Sequence, residues 1–319
     1  MTNQLFAPII HQTSVCVIKK MKKIILPVFF MFLFPVLGLS QPIAIGVLEQ
    51  PQCIKTKKIA ARVMFKKISD SWIPLVDPKE AAQVDVGSIK WVVAFDGKKL
   101  GSVQILDSNP SATFINEWFY TRDKIYEVSS KQDIPSVKDT THTFSGWCDE
   151  PALRPLILLS QQNYEDPEKW KPFKPMESYK QRLYRTVRRI LGSINAYRCV
   201  DIPNEDKMKI VPYEFTADDL VIHKGYRSAL GKELISIGLD LKKINCDGPL
   251  VPQWINDWFF LSDDKIDYLG SEMELVDAGD YDKDGKSEFI FWYSGYDKDG
   301  YILMYNDFKQ KVEYMWSYH

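Results

Sequence analysis

A short acidic stretch near the C-terminus has the residue types and spacing of a cation site. The sequence DAGDYDKDGKSEFIFWY contains four closely spaced carboxylates, at Asp280, Asp282, Asp284 and Glu288. Like charges this close repel one another unless a cation lies among them. Gly285 permits a sharp turn after the third carboxylate, and the main-chain carbonyl of Lys286 adds another oxygen. Calcium takes about six to eight oxygen ligands in a tolerant geometry, so the stretch predicts a calcium loop.

The loop does not fit an EF-hand, because Phe291 occupies the position of the bidentate glutamate and strand-like residues flank the stretch. The pattern D-x-D-x-D-G-x-x-E, which leads directly into an apolar strand, instead resembles the calcium loops of FG-GAP or VCBS repeats over roughly Val276 to Met304. This resemblance implies a blade-like β unit with extracellular roles in adhesion, recognition or scaffolding. It also implies five metal ligands, namely Asp280, Asp282, Asp284, the Lys286 carbonyl and Glu288, the last of which is usually Asp in the family. An acidic turn without a metal remains the alternative.

A second acidic stretch, GYDKDGY, looks similar but predicts only a hairpin. It has Gly295 and Leu303 where the first and last carboxylates would be needed. Asp299-Gly300 lies between the apolar runs FIFWYSGY and YILMYNDF, and this pair is typical of a tight turn. A final strand is expected from Lys311.

No sequence motif for catalysis is present. The chain has no HExxH, GxSxG, P-loop or dinucleotide fingerprint. We therefore name no catalytic residue and no organic cofactor. A glycosidase carboxylate pair leaves no spacing signature, so hydrolysis of glycan stays open. Glu117 and Asp257 hold matching places in a repeat, but we expect them to orient the segments containing Trp118 and Trp258.

That repeat organises the chain. INEWFY from Ile115 matches INDWFF from Ile255, and DKI follows both. The surrounding runs are short, β-branched and aromatic, and they are bounded by Gly, Asp, Asn or Pro. The sequence thus predicts a mainly β fold with two internally duplicated β-rich halves, 41–163 and 199–319, the second resembling a propeller blade. The aromatic residues that recur in the repeat are expected to pack in the core. The alternative is that they form a platform on which sugar rings stack.

A connector, 164–198, joins the halves with a Pro-rich segment and one basic amphipathic helix. Ser178 and Gln181 have capping-box spacing, and Gly192 is placed to end the helix. We expect its apolar stripe, which includes Leu183 and Val187, to pack across the two halves. The alternative function of its basic face is contact with anionic surfaces through Arg185, Arg188 and Arg189.

Residues 1–40 predict export. We interpret residues 1–20 as an upstream extension that ends before Met21. Lysines, a short apolar run and small residues at Gly38 and Ser40 follow, as in a secretory signal peptide. An uncleaved anchor is the alternative. Four cysteines would remain after cleavage, and two disulfides are expected, which the repeat favours as Cys53–Cys148 and Cys199–Cys246. Other pairings stay open.

Charge and composition narrow the function class. The 319-residue chain has a formal net charge of −1 and an aromatic fraction of 13%, which argue against nucleic acid as a partner and support a real core. We expect a periplasmic or secreted, non-catalytic recognition or scaffold protein of the cell envelope, with one structural calcium and a protein or glycan ligand. The alternative is a secreted, carboxylate-dependent glycan hydrolase.

Overall fold

The protein is mainly β, as its sequence predicts. A computed structural model describes residues 42–50, 59–105, 111–114, 120–127, 144, 146, 150–151, 153–191, 197–203, 208–212, 216–240, 257–263 and 265–317. The strands before the connector are β1 (Ala44–Glu49), β2 (Ala60–Ile68), β3 (Ser71–Pro74), β4 (Lys90–Phe95), β5 (Lys98–Gln104), β6 (Ser111–Phe114), β7 (Tyr120–Glu127) and β8 (Leu156–Leu159), with a short helix α1 (Pro78–Ala81) after β3.

The remaining elements form the C-terminal part. Its strands are β9 (Lys171–Pro172), β10 (Tyr197–Asp201), β11 (Met208–Pro212), β12 (Leu220–Arg227), β13 (Glu233–Leu239), β14 (Asp257–Ser262), β15 (Lys265–Gly270), β16 (Met273–Gly279), β17 (Glu288–Gly295), β18 (Lys298–Tyr305) and β19 (Gln310–Ser317). Helix α2 (Ser178–Leu191) lies between β9 and β10, and a 3-10 turn, Ala217–Asp219, precedes β12. No described helix is long and apolar enough to span a membrane.

These strands form four antiparallel sheets. An eight-stranded sheet has the order β5-β4-β8-β1-β2-β7-β6, with β3 added beside β2. A five-stranded sheet has the order β15-β14-β13-β12-β9, and a four-stranded meander runs β16-β17-β18-β19. The pair β10-β11 stands apart. The described residues after position 40 form one compact unit.

The four-stranded sheet is the central layer, because its two faces belong to different cores. Ile290 and Trp292 on β17 pack with residues of the eight-stranded sheet. Phe289 and Phe291, the alternating residues, pack with Trp258 of the five-stranded sheet. Successive side chains of a strand point to opposite faces, so a strand covered on both sides has to be apolar throughout. This arrangement explains the unbroken apolar run that follows the acidic loop.

Helix α2 covers the far face of the five-stranded sheet. It begins at Ser178 and ends at Leu191, as its sequence signals predict. Leu183 and Val187 are buried in a core with Ile235 and Phe259. Among the described residues, the core that contains this stripe is formed with the five-stranded sheet alone, so the helix packs on one sheet and not across both halves.

The hairpin between β17 and β18 exists, but its turn is not at the predicted dipeptide. The turn falls at Tyr296 and Asp297, while Asp299 and Gly300 already lie within β18. Asp297, the second central residue of the turn, adopts the left-handed conformation with φ of 60°. The predicted last strand is confirmed as β19.

The duplication stays a prediction. Strands β14 and β15 form a hairpin, whereas the matching segment of the first half, Tyr120–Glu127, is one continuous strand paired with β2 and β6. Residues 1–40, Glu117, Trp118, Gly192 and the cysteines at 53, 148 and 246 lie outside the described residues. Cys199 is buried on β10. Because the other three cysteines of the predicted pairs and residues 1–40 lie outside the described part of the chain, the disulfide pairing and the signal peptide also remain predictions.

Candidate metal centre

The acidic loop connects β16 to β17, at one end of the central sheet. Gly279 ends β16 and Glu288 begins β17, so the loop is a long connection between paired strands. Tyr281 within it is buried and belongs to the core shared with the eight-stranded sheet. The loop is therefore anchored to the core by an aromatic side chain, while its acidic residues face one another.

Three of the four predicted carboxylates converge. Oxygens of Asp280, Asp282 and Glu288 all lie within 4.8 Å of one another. Such spacing allows one cation to contact all three carboxylates. Asp284 is not part of this group; its Oδ1 instead accepts a hydrogen bond from the Lys286 amide at 2.8 Å.

Main-chain amides shape the loop around Asp280. Its Oδ1 accepts from the Lys283 amide at 2.5 Å and its Oδ2 accepts from the Gly285 amide at 3.0 Å. Gly285 has φ of 85° and Lys283 has φ of 67°, both in the left-handed region. Glycine is favoured at 285 because an added Cβ, although sterically free, would be strained at this φ.

An intramolecular cation also reaches the cluster. The Lys67 ammonium, on β2 of the eight-stranded sheet, forms a salt bridge with Asp282 Oδ2. The Asp282 side chain is only 1% exposed. Burial acts to lower the pKa of Lys67, but the hydrogen bond and charge of Asp282, with Glu288 and Asp284, leave that pKa raised. Lys67 thus offsets part of the repulsion that the sequence implies.

Burial and the neighbouring negative charges raise the pKa of two of the carboxylates, Glu288 and Asp280. The pKa of Glu288 is raised to about 9, mainly by burial and next by the charge of Asp282. The pKa of Asp280 is also raised, again chiefly by burial, although the Gly285 and Lys283 amides oppose the shift. Glu288 Oε2 accepts from the Tyr281 amide at 2.6 Å. A bound divalent cation would favour the charged forms instead, and three converging carboxylates are hard oxygen donors of the kind that calcium or another hard divalent cation takes.

The loop also holds the connector in place. The Asp280 amide donates to the Glu165 carbonyl at 3.0 Å, and the Ser287 hydroxyl donates to Asp166 Oδ1 at 2.7 Å. The segment 165–166 leads to β9 of the five-stranded sheet. With Lys67, these contacts place the loop at the junction of the three sheets.

A second polar network lies beside the loop, and sequence reasoning did not identify it. Asp277 on β16 is buried and accepts from the Tyr164 hydroxyl at 2.6 Å and the Asp96 amide at 2.9 Å. The Arg154 guanidinium contacts Asp277 Oδ1 at 3.7 Å and Asp96 Oδ1 at 2.8 Å. Burial raises the pKa of Asp277 to about 6, against the opposing effect of Arg154. No local spacing connects these residues, so the sequence carried no signal for them.

The other candidate residues named from the sequence lie either in the core or on the exposed face of α2. Trp258 is fully buried and its indole donates to the Met273 carbonyl at 2.8 Å, as expected for core packing. Asp257 is buried and accepts from the Tyr268 hydroxyl at 2.9 Å, so it orients a tyrosine of the next strand. On α2, Arg185, Arg188 and Arg189 are exposed.

Comparison with known proteins gives no match: no family model, no curated protein and no solved structure is similar enough to this chain to report. The resemblance of the loop to FG-GAP or VCBS repeats therefore remains a prediction from the sequence.

Proposed function

We propose that this chain is an exported, non-catalytic recognition or scaffold protein of the cell envelope, stabilised by one structural calcium in the loop 280–288. The observation that carries the proposal is the convergence of Asp280, Asp282 and Glu288 within 4.8 Å, in a loop with the spacing of known calcium loops. The export part of the proposal rests on the sequence of residues 1–40.

Calcium at this position would act as a clamp. The loop contacts β2 through Lys67 and the connector through Glu165 and Asp166, so fixing the loop would fix three layers relative to one another. With a dissociation constant of about 0.1–1 mM and about 1 mM free calcium, binding would add roughly 0.4–1.4 kcal/mol by mass action. That gain corresponds to a rise of about 1–5 °C in melting temperature.

A thermal melt with calcium and then with excess chelator tests the clamp. We expect the wild-type chain to melt higher in calcium, and Asp280→Asn to lose the difference because a ligand charge is gone. Asp70→Asn removes one exposed charge in the turn after β2 and should keep the wild-type response.

Lys67→Met separates a metal site from an acidic turn neutralised by lysine alone. If calcium binds, removing the competing ammonium should enlarge the calcium-dependent shift, even though the variant is less stable in chelator. Equal melting temperatures with and without calcium, in both the wild type and Lys67→Met, would refute the calcium part of the proposal.

Glycan hydrolysis is the alternative, but the contacts of the buried carboxylates favour binding. A glycosidase needs two carboxyl groups about 5–10 Å apart that both reach the substrate. Asp277 has a fully buried side chain engaged by Arg154 and Tyr164. Asp166 accepts from Ser287 at 2.7 Å and from the Trp170 amide at 2.5 Å. Both carboxylates serve to hold the structure together.

A further inference from the structure

A cleft beside the loop carries the chemistry of a ligand site. It has a volume of about 480 Å³ and lies where the β4-β5 turn, the connector and β16 meet. Ligand pockets are usually about 300–1,000 Å³. Its lining combines lysines, carboxylates and aromatic rings.

Arg154, Asp277, Asp96 and Asp166 in the cleft are held by ion pairs or hydrogen bonds within the protein. Arg154 is held by Asp96 and Asp277, and its Nε donates to the Val276 carbonyl at 2.6 Å. Asp166 is occupied by Ser287 and main-chain amides. These contacts fix the floor of the cleft and engage its carboxylates.

The rim is different, because its cations outnumber its available carboxylates. Lys98, Lys169 and Lys171 line the cleft and are exposed. In the described part of the chain none of the three forms a salt bridge. The exposed carboxylates on the same rim are Glu165 and Asp96, and Asp96 is engaged by Arg154. Among the described residues, three unpaired ammonium groups beside one carboxylate that has no cationic partner, Glu165, attract an anion.

One wall is aromatic. Trp170 is half-buried, and its ring packs edge-on against Phe289, with centroids 5.1 Å apart. Its indole nitrogen donates to Glu168 Oε2 at 2.9 Å, which fixes the ring. Tyr226, which stacks on Trp258 at 6.2 Å, lines the same cleft. The wall is thus preorganised and needs little ordering on binding.

We propose that this cleft binds an acidic carbohydrate, that is, a sugar carrying a carboxylate group. Its carboxylate would pair with the lysine rim, its hydroxyls would donate to Glu165 and Asp96, and its C–H face would lie against Trp170. A neutral sugar leaves the ammonium groups without a partner, and inorganic phosphate leaves the aromatic wall unused.

This inference gives the recognition role in the proposed function a site, and to that extent it rests on that function. It does not depend on calcium, since the cleft and the loop are different groups of residues. They are connected, however, because the loop fixes Glu165 and Asp166 at the cleft wall. Calcium is therefore expected to strengthen binding without creating it.

Isothermal titration calorimetry on the full chain tests the inference with galacturonate and digalacturonate as probes, beside galactose and inorganic phosphate. Each titration is run in calcium and in chelator. The test variant is Lys169→Gln with Lys171→Gln, which keeps the aliphatic stems. The control replaces two exposed lysines outside the cleft, Lys79→Gln with Lys209→Gln, and so matches the change in net charge.

We expect the uronates to bind and galactose to bind at least about tenfold more weakly, with a similar loss in the Lys169/Lys171 variant and less than about twofold change in the control. A Trp170→Phe variant should weaken the uronates and leave any phosphate binding unchanged. Phosphate binding as tight as uronate binding would overturn the carbohydrate assignment. No uronate binding in either calcium or chelator would overturn the inference, and the melting experiments would still decide the calcium proposal independently.

Discussion

The buried ion pair between Glu49 and Arg62 is the sharpest test of how the two ends of the chain are held together. Both side chains are fully buried, and Arg62 Nε lies 2.6 Å from Glu49 Oε1. Glu49 comes from β1, and it also accepts a hydrogen bond from Tyr301 of the central sheet. The Arg62 guanidinium lies over Trp316 of β19, 4.1 Å from the ring centroid.

The perturbation is Glu49→Gln, which keeps the shape and an acceptor for Tyr301 but leaves the Arg62 charge buried. Breaking a buried ion pair from one side costs about 3–5 kcal/mol. The ring of Trp316 still stabilises the cation, so we expect the lower end, about 3 kcal/mol. For a domain of this size that loss lowers the melting temperature by about 6–12 °C.

Urea unfolding followed by tryptophan fluorescence gives the free energies for a double-mutant cycle. Adding Arg62→Met to Glu49→Gln removes the buried charge whose carboxylate partner has been lost, so the double variant should be more stable than Glu49→Gln alone. Glu313→Gln is the control, because it breaks an exposed pair with Lys311 and should cost less than about 1 kcal/mol.

A cost below about 1 kcal/mol for Glu49→Gln would refute this reasoning. It would mean that Arg62 finds compensation elsewhere or that water reaches the site. A double variant less stable than the single one would likewise show that packing, and not the buried charge, dominates.

Three further substitutions probe other parts of the fold. Burial raises the pKa of Asp257 to about 7 from 3.8, so this carboxyl by itself should lower the unfolding free energy by about 4 kcal/mol between pH 4 and 7. Asp257→Asn, which can still accept from Tyr268, should make the fall measured by urea titration smaller by that amount, while the raised pKa values of Asp277 and Glu288 keep the remainder. Gly279→Ala would place a methyl group against the buried Tyr164 ring and should cost about 1–3 kcal/mol by chemical denaturation. Leu183→Ala should cost about 2–5 kcal/mol, measured in the same way; a cost near zero would show that α2 does not depend on its buried stripe.

Local patterns predicted the features that depend on neighbouring residues. The helix at Ser178–Leu191 follows from its 3.6-residue periodicity. The mainly β class and the last strand follow from short apolar runs bounded by turn residues. In the acidic loop, alternating carboxylates and Gly285 predicted that side chains would converge, and three of the four do.

Prediction failed where a neighbour in space changed the outcome. Asp299-Gly300 looks like a turn, but β18 continues through it because Gly300 pairs with Tyr293 and with Met315 on its two sides. The turn moves to Asp297, which can adopt positive φ. A dipeptide signal cannot reveal which strands will flank it.

The sequence by itself determined the strand-rich class, the basic helix and the acidic loop, because each depends on residues a few positions apart. The tertiary structure alone decided what neutralises that loop and what surrounds it. Lys67 lies 215 residues from Asp282, and Arg154 lies 122 residues from Val276. Contacts over such distances are set by the stacking of sheets around the central layer. That stacking, and not spacing along the chain, gives these charges their partners.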